Sequence, residues 1–156
     1  MSYHMALQHK KEGRNVKIVQ EVVRSCPFPF NEGLSKETCL WVYHEHVRKE
    51  LEAKQKHEVI ICDRSAIDSF VYAKVKNCLD MEDLYMLSCY EAAQSWMETY
   101  DQIFFVVPDE FKPVSDGVRS PDVTFQISVH TAFEFLVDNL NVEVTKIHSK
   151  DIFKNL

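Results

Sequence analysis

Val59-Ile60-Ile61-Cys62-Asp63-Arg64-Ser65 is the stretch whose reading decides the fold. Four consecutive apolar residues, three of them β-branched, form the pattern of a strand buried on both faces, as in parallel sheets. The run ends abruptly on an acid and a base. A carboxylate closing an apolar strand is costly to desolvate unless a cation or several donors satisfy it. Asp63 is therefore the sharpest chemical signal in the chain, and a hard oxygen ligand of this kind suits Mg²⁺ carrying phosphate groups. The competing reading is local: Asp63 caps the following segment through the Ser65 or Ile67 amide.

Working outward, the same alternation recurs. Ser2 to Gly13 reads as the tail of a helix with a basic end and a stop at Gly13. Val16 to Val19 reads as a short strand delivering Gln20, Glu21 and Arg24 to its C-terminal end. Pro27 and Pro29 break regular structure after it. Ser35, Glu37 and Thr38 open a long helix reaching about Lys56. Asp68 to Val75 and Glu82 to Thr99 have helical character, the second with a stripe of Leu84, Leu87, Ala92 and Trp96. Ile103 to Val107 is a second buried-strand run. Asp122 to Leu140 reads as a helix and Val142 to Ile147 as a half-alternating strand. Strands alternating with helices imply α/β architecture: one parallel sheet, right-handed connections and helices on both faces. No repeat or linker divides residues 1–156, so one domain is expected.

Composition narrows the function. Of 156 residues, 46% are hydrophobic and 27% charged, which is ordinary for a globular domain. The formal net charge of -6 argues against a nucleic-acid binder that relies on bulk electrostatics. No apolar run approaches the roughly 20 residues that span a bilayer, and the N-terminus lacks the apolar core of a signal peptide. Cys26, Cys39, Cys62, Cys78 and Cys89 contain no CxxC pair and no zinc-ligand spacing, so they read as buried or idle thiols in a reducing, cytoplasmic setting. His44 and His46 stand two apart and face different directions on a helix. All the histidines read as structural or surface groups, and Trp41, Trp96 and the phenylalanines as core. No residue pattern sets an oligomeric state.

Ligands of open parallel sheets bind beyond the carboxyl ends of the strands. The polar residues expected there are Glu21 and Arg24, then Asp63 and Arg64, then Pro108 and Asp109, and the loop Asp116-Gly117-Val118-Arg119. Arg64 carries a planar fork suited to phosphate or another oxyanion, or else pairs structurally with Asp63, Asp68 or Glu21. Glu21 and Arg24 otherwise form a solvated turn. Arg119, beside Gly117, has the form of a lid arginine closing over phosphates, or is simply solvated.

In order and spacing, Val19 to Arg24, the helix with Trp41, Val59 to Ser65 with Asp68 and Tyr72, and Asp116 to Arg119 resemble the AAA-type P-loop family. The family is typified by bacterial ribosylnicotinamide kinase domains such as that of NadR. The Asp63-Arg64-Ser65 element is also similar to its counterpart in deoxynucleoside and thymidylate kinases. The resemblance covers essentially the whole chain. It implies a three-layer P-loop NTPase sheet of nucleoside/nucleotide kinase type, with ATP and Mg²⁺ as cofactors. It also implies a small-molecule phosphate acceptor of the nucleoside, nucleotide or nicotinamide riboside class. By position it places Asp63 at Mg²⁺ or as base, Arg64 and Glu21 toward the acceptor, Arg24 and Asp68 in substrate binding, and Arg119 in the lid.

One part of the family pattern is missing. Such proteins carry a strand and a GxxxxGK(S/T) loop, whose amides and lysine hold phosphates. The three glycines here, Gly13, Gly33 and Gly117, stand in no such motif. The expected sheet thus lacks its first central strand, between the strands ending at Cys62 and Val107, which leaves two unpaired central edges. The expectation is an N-terminally incomplete domain needing roughly 12 to 20 more residues, enough for one strand and a phosphate loop. The alternatives are an inactive binding or interaction module without the loop, and a regulatory ATPase without a small-molecule acceptor.

Overall fold

Local chemistry dictates where the helices begin and end in the computed structural model, which describes residues 1–30, 33–78, 82–108 and 122–152. Helix α1 (Ser2–Lys11) stops before Gly13, whose φ of 81° suits a residue without a Cβ. The Gly13 amide donates to the Lys10 carbonyl at 3.0 Å and the Arg14 amide to that of His9 at 3.1 Å, the paired bonds of a Schellman end. Helix α2 (Lys36–Lys54) starts on Ser35, whose hydroxyl accepts from the Thr38 amide. The 3-10 turn Val22–Ser25 and the helix α3 (Asp68–Val75) follow the first two strands. Asp83 caps α4 (Leu84–Met97) and Asp122 caps α5 (Val123–Val137), each accepting two amides.

Among the described residues the strands are β1 (Val16–Val19), β2 (Val59–Cys62), β3 (Ile103–Val107) and β4 (Val144–His148). β1 and β2 pair in parallel, with Val16 opposite Val59 and Val19 opposite Cys62. β3 and β4 also pair in parallel, with Ile103 opposite Val144. One sheet is expected from sequence; the described strands form two separate pairs, with no ladder between β2 and β3. Both strands instead line a cleft of about 1950 Å³.

This separation corrects the burial expected of the strands. Only Ile61 is buried in β2, and all 5 residues of β3 are half-buried, because among the described residues each strand lacks a neighbour along one edge. The main core lies among the helices instead, where Cys39 and Tyr43 of α2, Phe70 of α3, Met86 of α4 and Leu136 of α5 meet. A smaller cluster of Ala6, Val16 and Ile61 ties α1 to the β1–β2 pair.

Two further expectations fail in detail. The buried stripe of α4 is Met86, Cys89, Ala93 and Met97, while Leu84 is 78% exposed. The spacing is still helical, but the inward face is rotated away from the larger leucines, toward small and flexible side chains that fit beside α2. The phenylalanines also do not form a single class. Phe70 is fully buried, whereas Phe135 is 70% exposed.

That contrast gives a direct test of the core. Phe70 meets Tyr43 and Tyr90 edge-on, at centroid distances of 5.4 and 5.9 Å. Phe70→Ala is expected to cost about 3–5 kcal/mol of stability, and Phe135→Ala less than about 0.5 kcal/mol. Urea unfolding measures both, and similar losses would contradict this packing.

Candidate functional site at the strand ends

The pairing of Val19 with Cys62 makes β1 and β2 end together. The Asp63 amide extends the ladder by donating to the Val19 carbonyl at 2.8 Å. The residues after each strand therefore emerge side by side, Glu21 and Arg24 from one and Asp63 and Arg64 from the other.

Glu21 joins the two segments. Arg24 Nε donates to its Oε2 at 2.7 Å, and Arg64 Nε donates to its Oε1 at 3.2 Å. Arg64 Nη1 also lies 3.6 Å from Asp68 Oδ2. The other Asp68 oxygen accepts from the Ser65 amide at 2.9 Å and from the Ser65 hydroxyl. The Asp68 amide donates back to the Ser65 carbonyl at 3.2 Å. These bonds close a turn just before α3, of which Asp68 is the first residue.

The local capping role expected for Asp63 thus belongs to Asp68. Asp63 is exposed on the cleft, and among the described residues its carboxylate has no hydrogen bond or ion pair. Its strand is apolar, yet the carboxylate itself is not desolvated. Arg64 takes the structural pairs with Glu21 and Asp68, and none with Asp63. Arg119, Asp116 and Asp109 lie outside the described residues.

Arg64 has a φ of 88°, in the left-handed region that residues with a Cβ seldom adopt. Such a conformation costs about 1–2 kcal/mol, and the side chain at this turn reaches Glu21 and Asp68 together. Partial burial works against the guanidinium charge. Tyr72, Asp68 and Glu21 outweigh it, so the group is held more firmly protonated than usual. With its side chain 34% exposed, Arg64 keeps one face open for an anion.

A second polar group on the cleft wall escapes a reading by sequence spacing. His46 and Glu50 of α2 and Cys62 of β2 bring their ligand atoms within 4.8 Å of one another. The i, i+4 relation of His46 and Glu50 is legible in the sequence; the approach of Cys62 depends on the fold.

Fold and site define an α/β domain with parallel strands and a charged cluster at the strand ends. The AAA domain profile matches residues 7–154, nearly the whole length, and the chain belongs to that family, of nucleotide-binding P-loop NTPase type. The family generally binds nucleotide with Mg²⁺. No curated protein matches the chain. No helix among the described residues is long and apolar enough to cross a membrane.

The turn at Arg64 is testable through backbone chemistry alone. Arg64→Ala and Arg64→Gly lose the same ion pairs, but only glycine tolerates the left-handed angle without strain. Arg64→Gly is expected to be more stable than Arg64→Ala by about 1 kcal/mol, the reverse of the usual order. Denaturant unfolding of the two variants decides it, and a less stable glycine variant would rule out this turn.

Proposed function

We propose that the chain forms most of a kinase-like P-loop domain that transfers the γ-phosphate of ATP to a small molecule. The acceptor belongs to the nucleoside, nucleotide or nicotinamide riboside class. The observation that carries the reading is the exposed Asp63 carboxylate, which has no hydrogen bond or ion pair among the described residues, next to the Glu21–Arg64 pair at the ends of parallel strands. The AAA membership supports nucleotide binding, and the resemblance to ribosylnicotinamide and deoxynucleoside kinases is what points to phosphoryl transfer.

Phosphoryl transfer asks a protein mainly for alignment and charge stabilisation. Asp63 fits the Mg²⁺ role, being a hard oxygen donor, exposed and free to coordinate while water and phosphate fill the remaining positions. Bound Mg²⁺ would neutralise phosphate charge. Asp63 alternatively serves as base toward the acceptor hydroxyl. Arg64 and Glu21 face the acceptor, Arg24 and Asp68 fix their geometry at the substrate side, and Arg119 acts as a lid arginine.

The reading includes a further parallel strand between β2 and β3, bearing a GxxxxGK(S/T) loop. It would complete a three-layer sheet with helices on both faces in a single domain. Its support is the cleft between two strand edges that lack partners among the described residues. A second reading is a binding module that has dispensed with catalysis. A regulatory ATPase is separated from a kinase by product analysis.

Calorimetry with Mg-ATP distinguishes these readings. The 156-residue chain is expected to bind weakly or not at all, since Arg64 and Arg119 cannot replace a cradle of consecutive amides and a lysine. A chain extended with the strand and loop is expected to bind ATP and transfer its γ-phosphate. In that form Asp63→Asn should lower turnover by about 10²- to 10³-fold. Micromolar binding by the shorter chain would overturn the donor argument, and an unimpaired Asp63→Asn enzyme would remove Asp63 from the site.

A further inference from the structure

Successive strand residues point to opposite faces, so Cys62 and Asp63 serve different neighbours. Cys62 meets His46 and Glu50. His46 is 1% exposed and Glu50 is 7% exposed, both on α2. Glu50 accepts hydrogen bonds from the Tyr100 hydroxyl at 2.7 Å and from Trp96 Nε1 at 2.9 Å. His46 Nε2 lies 2.9 Å from Glu50 Oε1. Beyond this ion-pair contact, Nε2 is buried without a hydrogen bond among the described residues. Buried polar atoms are normally hydrogen-bonded, so an imidazole nitrogen left without a bond beside a carboxylate and a thiol calls for a partner.

We propose that His46, Glu50 and Cys62 form a binding site for one zinc-type transition-metal ion on the wall of the cleft between β2 and β3. The donor set selects the class of metal. An imidazole nitrogen and a thiolate with one carboxylate oxygen suit Zn²⁺, whereas Mg²⁺ and Ca²⁺ require oxygen shells. Trp96 and Tyr100 supply the outer partners that hold a ligating carboxylate in place. Zinc bonds of about 2.0–2.3 Å place ligand atoms about 3.5 Å apart. His46 Nε2 and Glu50 Oε1 already stand 2.9 Å apart, and no pair in the set exceeds 4.8 Å, so the widest gap closes by at most about 1.3 Å, a shift within reach of side-chain rotation for half-buried Cys62. Three protein ligands leave a fourth position for water from the cleft.

The inference rests on these three residues and is independent of nucleotide transfer.

The test uses the full chain with Zn²⁺ and Co²⁺ as probes. One Zn²⁺ per chain is expected, with release of about one proton from the thiol. Co²⁺ is expected to give a thiolate charge-transfer band. Cys62→Ser is close to isosteric and should weaken binding about 100-fold or more and abolish the band, while Cys26→Ser should leave both unchanged. His46→Gln should act like Cys62→Ser. Should that variant not fold, protection of Cys62 from alkylation by Zn²⁺, read by mass spectrometry, decides the matter. Absence of binding, binding unchanged in Cys62→Ser, or alkylation of Cys62 indifferent to Zn²⁺ would each overturn the proposal.

Discussion

Backbone amides and carbonyls along the free edges of β2 and β3 require hydrogen-bond partners, and among the described residues neither strand supplies them to the other. Water can satisfy these groups, but it then also reaches the apolar side chains beside them. The half-buried state of every β3 residue follows from this. So does the placement of the largest core cluster among the helices, where Phe70, Ile67 and Met86 are shielded without help from the inner strand edges. A further strand in the cleft would satisfy both kinds of group at once, since parallel pairing and apolar cover come from the same element.

The register of β1 on β2 has an equally specific consequence. With Val19 opposite Cys62, Glu21 and Arg64 leave the sheet close enough to pair directly. A one-residue slip would turn the strand residues to the other face and separate the apolar cluster of Ala6, Val16 and Ile61. Packing on α1 therefore fixes the register, and the register fixes the charged pair. The two acids after β2 then divide their work. Asp68 is committed to the start of α3 and to Arg64, while Asp63 has no comparable commitment.

Much of this was legible in the sequence because it is local. The VIIC and IFFVV runs, the helix start at Ser35 and the Gly13 stop each depend on a few neighbouring residues. The α4 stripe was not, because a helix with apolar residues on several faces leaves the choice of inward face to its partners. Glu21 and Arg64 were recognisable as residues at strand ends, but their direct pairing depends on register. The exchange of roles between Asp63 and Asp68 was also hidden, since either acid can cap nearby amides and only backbone direction chooses. Cys62 lacked any spacing that marks a ligand, because its neighbours belong to a helix packed against the strand.

The bond from Trp96 to Glu50 has a practical consequence. Only two tryptophans occur in the chain, Trp41 and Trp96, and the indole N–H of the second is spent on the carboxylate that faces Cys62 and His46. Indole emission is sensitive to the charge and wetness around that ring. With Trp41 replaced by phenylalanine, light emitted by a single native side chain would report on the cleft wall, and its drying or change of charge could be followed in real time without an attached dye.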